Sequence, residues 1–214
     1  MVTTQVPFQG KDVLVKLLVP QTETFNGDGS ETDFTVAKTP IGDYDRDGTV
    51  DVNDVQVVVD GVAEVPSAID ANTGVITLAS APAVGVGNVV ITYSYEHEPI
   101  MAQEVSITEE VENIELDQLG SDEKLVAETS LKVSGSLTLK KEDADMVKLF
   151  WGGTSFSAAR TKFILKITQV RNAVTYIYYY HEVKLWSRDE TQTAGDITEE
   201  TLNLTAAGGK VIEL

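Results

Sequence analysis

Apolar and polar residues alternate with a period of two along most of this chain, in short runs broken by Gly, Asp and Pro. That is the pattern of antiparallel strands with one buried and one wet face. Val13, Val15 and Leu17 start it, in a strand expected to end at Pro20. Short strands are expected at 33–36, 55–59, 75–78 and 89–95, with Asp60-Gly61 as a hairpin turn and 70–74 as another turn. Residues 105–116 and 131–139 read as two long strands joined by a polar loop, hence a large hairpin. Further strands are expected at 163–170, 174–186 and 201–206, with Tyr176, Tyr178 and Tyr180 on one face. Only 143–151 has helical spacing: acidic residues open it, Met146, Leu149 and Phe150 form its stripe, and Gly152-Gly153 close it. The fold class expected is mainly β, sandwich or barrel, with one helix.

Charge divides the chain. Residues 21–99 hold 14 acidic side chains against Lys38 and Arg46, whereas the other 135 residues hold 20 acidic and 14 basic ones. Five of the six prolines lie in the acidic block or at its edges, and none follows Pro99. We therefore expect a small β-sandwich at 22–98, inserted into a discontinuous host made of 1–21 and 99–214. The net charge of −18 argues against groove binding to nucleic acid, which needs clustered Lys and Arg. With no cysteine, disulfides, thiolate metal sites and cysteine nucleophiles are excluded. The opening residues lack a basic segment followed by an apolar run, and no stretch of about 18 apolar residues occurs. Neither a secretory signal nor a membrane span is expected.

One segment carries specific site chemistry. Residues 43–54 place Asp43, Asp45, Asp47, Asp51 and Asp54 at positions 1, 3, 5, 9 and 12 of a twelve-residue loop, with Gly48 at position 6 and the Thr49 carbonyl at position 7. This is the oxygen spacing of an EF-hand-like calcium loop. Calcium is the expected cofactor, and a solvated acidic turn is the alternative. An EF-hand would run on into a helix, but 55–59 is β-branched, so the loop is expected between two strands.

No other motif points to catalysis. His97 and His181 have no triad-like or ligand-like neighbours, and Gly27-Asp28-Gly29 precedes a strand, so it is a turn and not a phosphate loop. Glu109/Glu110 and Glu199/Glu200 read as solvated strand edges, and the tyrosine stripe as sheet packing. No enzyme is expected.

The host resembles the tail tube proteins of long-tailed bacteriophages and related archaeal viruses. Over about 130 residues the likeness is carried by 10–17 as an opening strand, then 109–119, Gly120-Ser121 and 133–139 as a long hairpin. The helix near 146–151 and the closing phrases 180–187 and 195–206 complete it. The insert resembles a small β-sandwich module of phage virion proteins, in 25–35, 57–61 and 73–78. Its acidic loop departs from that module, so the calcium expectation rests on spacing alone. The resemblance implies a virion location and homo-hexameric rings whose sheets join round a lumen and stack into a helical tube. It also implies tape measure, tail terminator and distal tail proteins as partners, with viral DNA passing through without specific binding and the insert facing outward. The alternatives are a calcium-dependent cell-surface adhesion module, another ring-forming tail component, and a hydrolase using paired carboxylates.

Overall fold

The computed structural model describes residues 4–7, 13–99, 102–117, 124–139, 161–171, 173–191 and 199–214. The helix expected at 143–151 and the loop at 118–123 lie outside them. The described residues form antiparallel β-structure almost throughout, as the alternating pattern requires. In chain order the strands are β1 (Thr4–Pro7), β2 (Val13–Gly27), β3 (Asp33–Thr35), β4 (Val55–Val59), β5 (Val62–Glu64), β6 (Ala68–Asp70) and β7 (Val75–Thr77). There follow β8 (Gly85–His97), β9 (Ala102–Asp117), β10 (Lys124–Leu139), β11 (Phe163–Arg171), β12 (Val174–Thr191), β13 (Glu199–Ala206) and β14 (Gly208–Glu213).

One large sheet runs β1-β9-β10-β13-β12-β11-β2-β8-β4-β5, with β14 on β12, and a small sheet runs β3-β7-β6. The large sheet turns at β12. Residues 174–183 of that strand pair with β11, whereas 184–191 pair with β13. The sheet thereby folds back and encloses one core, in which Val105, Ile107, Val133 and Leu137 meet Leu17, Leu165, Ile167, Val183 and Leu204. A second core lies between β2, β8 and β4 on one side and the small sheet on the other, with Phe34, Val57, Ile76, Val89 and Ile91 at its centre.

β2 and β8 run without a break from the first core to the second, paired from Leu17↔His97 to Gly27↔Gly85. Pro20 does not end β2 as the sequence suggested. The carbonyl of its partner Ser94 accepts from Gly42 N on the far side, so Pro20 sits at a position where no ladder bond to β8 is made. Pairing with β11 has already stopped at Leu18, so the missing N–H interrupts nothing. The Asp60-Gly61 turn forms as expected, with φ of +50° and +81°.

Where β2, β8 and β11 meet, Lys16 and Lys166 are directly opposite in register, and the Glu96 carboxylate pairs with both. Burial alone would raise the Glu96 pKa, but the hydrogen bonds and charges of the two lysines outweigh it and hold the carboxyl below the usual glutamate range. Its stabilising effect is therefore present above the unfolded pKa and is lost as pH falls through the lower folded one. Glu96→Ala leaves two facing ammonium groups without a counter-ion. A fully buried pair broken in this way costs about 3–5 kcal/mol. Because these side chains keep 10–26% of their exposure, we expect about 2 kcal/mol. Thermal unfolding at neutral pH should fall by roughly 4–8 °C, and the gap to wild type should close in acid below the glutamate range.

Candidate cation site and its seat on the sheet

The acidic loop lies between an isolated bridge at Ile41↔Tyr95 and strand β4. Val52–Asp54 makes one tight 3-10 turn and then the chain extends, so no α-helix follows the loop. Gly48 has φ of +100°, the left-handed conformation that a glycine tolerates best at the sharp bend.

Asp43, Asp45 and Asp47 come together, each offering a carboxylate oxygen within 4.8 Å of the others. Oxygens bound to one calcium at about 2.3–2.6 Å can be at most about 5.2 Å apart, so this trio fits a shared hard cation. Among the described residues it is the one acidic cluster with such spacing. Asp43 also accepts from the N–H groups of Asp47 (3.1 Å) and Gly48 (2.9 Å), which shapes the bend. Asp51 and Asp54 are used differently, in a reciprocal cap of the 3-10 turn. Asp51 accepts from Asn53 N, and Asp54 accepts from the N–H groups of Asp51, Tyr44 and Asp45. The Thr49 side chain donates to Asp47 at 2.7 Å.

Uneven proton affinities follow. Burial raises the Asp45 pKa, aided by the charges of Asp47 and Asp43. Burial also raises Asp54, against the N–H groups that favour its charged form. Asp47 is lowered by the hydrogen bonds from Thr49 and by the charge of Lys210.

The loop is seated on strands far from it in sequence. The Tyr179 hydroxyl on β12 donates to Asp43 Oδ2, with both side chains buried. Lys210 on β14 donates to the Arg46 carbonyl. A Cβ placed on Gly42 would lie 2.9 Å from the Leu18 side chain, and one on Gly48 3.7 Å from Ile212. Beneath the loop, Leu18, Ile164, Ile177, Tyr179 and Ile212 form a third apolar cluster. Burial, then the Asp43 carboxylate, raises the Tyr179 pKa and keeps the phenol protonated.

Sequence reasoning missed Tyr179 and Lys210. The run Tyr178-Tyr179-Tyr180 was the available signal for the first, because bulky residues on both faces mean that both faces are covered. Glu199/Glu200 is not the solvated strand edge expected from the sequence. Adjacent strand residues face opposite ways, so Glu199 is exposed whereas Glu200 is buried and accepts from Arg188. Beside the loop runs an open groove of about 610 Å³ whose lining includes Asp45, Lys162 and Glu182. Lys162 and Glu182 pair with each other at 3.0 Å.

No protein-family model matches the chain, and no curated protein does. Among solved structures it is similar to a chain in the tail of an empty gene transfer agent particle, computed with helical refinement in C6 symmetry. Identity there is 14% over 56% of this chain and 86% of that one, with a TM-score of 0.35. It is also similar to a chain in the virion of a native gene transfer agent particle, 12% identical over 78% of this chain and 99% of that one, with a TM-score of 0.37. Overlap at that level does not establish a shared function.

Proposed function

We propose that this chain is a structural subunit of a virus tail, and more specifically the tube subunit, assembling into rings that stack around a lumen through which DNA passes. One observation carries the reading. Among the described residues, 110–117 of β9 and 124–132 of β10 pair only with each other: β1, described from Thr4, faces 106–109 of β9, and β13 reaches Val133 of β10. Among the described residues the hairpin thus extends past its neighbours as a ribbon of about 25 Å, with no further strand on either edge. An isolated two-stranded ribbon is marginal in water and open edges are templates for pairing, so a second copy is the natural partner. The resemblance of the hairpin and its flanking phrases to tail tube proteins supports the same assignment.

Sedimentation velocity over a concentration series tests it. Rings and longer assemblies are expected, and a monomer at every concentration, alone and with tail partners, would reject the proposal.

The reading extends to the lumen wall and to the loop. The β9-β10-β13 face opposite the core is coated with small hydroxyl and amide groups, among them Ser106, Thr108, Ser134, Ser136 and Asn203. Among its described side chains it carries no cluster of Lys or Arg, and Glu110 is paired in register with Lys132. Such a surface offers phosphates no binding patch, which suits a wall past which DNA slides. The chain has no cysteine, so Ser136→Cys gives a single label. In assembled tubes that thiol should react with a small maleimide and resist a bulky polymer-linked one, whereas Val62→Cys in the insert should react with both. Bulky labelling of Ser136→Cys in intact tubes would turn this face outward. In the loop, Asp43, Asp45 and Asp47, with the Thr49 carbonyl, hold calcium as a structural tie.

A further inference from the structure

We propose that the acidic loop is a latch that fixes the orientation of the 22–98 insert on the host sheet. The covalent connection is narrow: only β2 and β8 pass between the first and second cores. At the crossing these two strands are flanked only by the end of β11 at Leu18 and by the short segment 40–42 on β8, so the sheet is narrowest there. A body on such a neck needs a further attachment, off the neck axis, to hold one orientation.

The loop supplies it. It leaves the insert beside Ile41, whose bridge partner Tyr95 lies on β8, and reaches across to β12 and β14. Three kinds of contact meet there. The buried Tyr179 hydroxyl donates to Asp43, the Lys210 ammonium donates to the Arg46 carbonyl, and Gly42 and Gly48 lie over Leu18 and Ile212. The same contacts bind β14 to the rest of the molecule. In the ladder that strand pairs only with β12, and its Lys210, Ile212 and the following Leu214 all meet the loop or the cluster beneath it. Through its contact with the Arg46 carbonyl, Lys210 also brings a cation from β14 up to the acidic loop. A purely local calcium loop would have no use for partners more than a hundred residues away. Their presence assigns the loop a role in holding two parts of the chain together. The latch rests on these contacts and not on tube formation, so it stands or falls separately from the proposed function.

The test uses the full chain in chelator, so that no divalent cation contributes. Spin labels at Val62→Cys in the insert and Thr205→Cys on the host sheet, both exposed positions, report the distance distribution between the two parts. Tyr179→Phe with Lys210→Ala should at least double its width and raise amide exchange at 43–54 and 208–214 together about tenfold. Should that double variant fail to fold, Lys210→Ala alone, at an exposed side chain, should broaden the distribution in the same direction. Faster exchange in the loop with an unchanged distribution would show that the neck alone fixes the insert, and would overturn the latch. No change in either quantity would overturn it as well.

Discussion

Replacing residues 113–129 by an Asn-Gly turn, which leaves the pair Glu112↔Ser130 to flank it, should give a chain that folds and stays monomeric at every concentration. Among the described residues, β9 and β10 pair with β1 and β13 through 106–109 and 133–139, and the core side chains they supply are Val105, Ile107, Val133, Leu137 and Leu139. The substitution touches none of these. The Asn-Gly turn suits a two-residue hairpin because both positions need positive φ. The melting temperature should therefore move by no more than about 4 °C, equivalent to roughly 1 kcal/mol in a chain of this size. Assembly should be lost outright, because the removed segment holds 113–117 and 124–128, whose strands have no second neighbour among the described residues. Sedimentation velocity and thermal unfolding on the same preparation separate the two effects. Tubes formed by the shortened chain would mean that subunits join through other surfaces.

Calcium should raise the melting temperature of the intact chain. Three carboxylates crowd within 4.8 Å of one another, and burial with mutual repulsion already raises the Asp45 pKa. A divalent ion removes that repulsion in the folded state and has no comparable site in the unfolded one. At a hundred times the dissociation constant the gain is about 2.7 kcal/mol, or roughly 5–10 °C for a chain of this length. Asp45→Asn should sharply weaken the calcium effect and leave the chelator-treated protein no less stable, since the folded state disfavours the Asp45 charge. The pH dependence has a definite sign. With the folded Asp45 pKa raised, the contribution of this group to the calcium-free protein becomes more favourable as pH falls towards that value. The difference between wild type and Asp45→Asn isolates it from groups such as Glu96 that act in the opposite direction, and calcium should cancel it. Differential scanning calorimetry with calcium and with chelator reads all of this. Identical curves in both would remove calcium from the account.

β9 and the 131–139 half of β10 were legible because their alternation is long and regular, and the same holds for β8, β11 and the first part of β12. Residues 124–130, where a loop was expected as far as Lys124 and a strand only from Leu131, were not. The Asp60-Gly61 turn was legible because a two-residue hairpin of that type demands those residues. β14 was not, since Gly208-Gly209 reads as a loop and the strand forms only because β12 offers it an edge. The course of β2 past Pro20 was hidden for a similar reason: whether a proline ends a strand depends on which side carries the ladder, and a single strand does not reveal that. In the acidic loop, spacing located Asp43, Asp45 and Asp47. It could not show that Asp51 and Asp54 are engaged in capping a 3-10 turn, because a carboxylate at those positions serves a cation or a backbone N–H equally well. The seat on Tyr179 and Lys210 is tertiary, and no local pattern announces it.

The account turns on assembly, and negative-stain electron microscopy of the purified full-length chain, over a range of salt and with calcium or chelator, tests it most directly. Hollow tubes, or rings with six-fold end views, are the predicted result. Small separate particles in every condition, with and without tail partners, would contradict it.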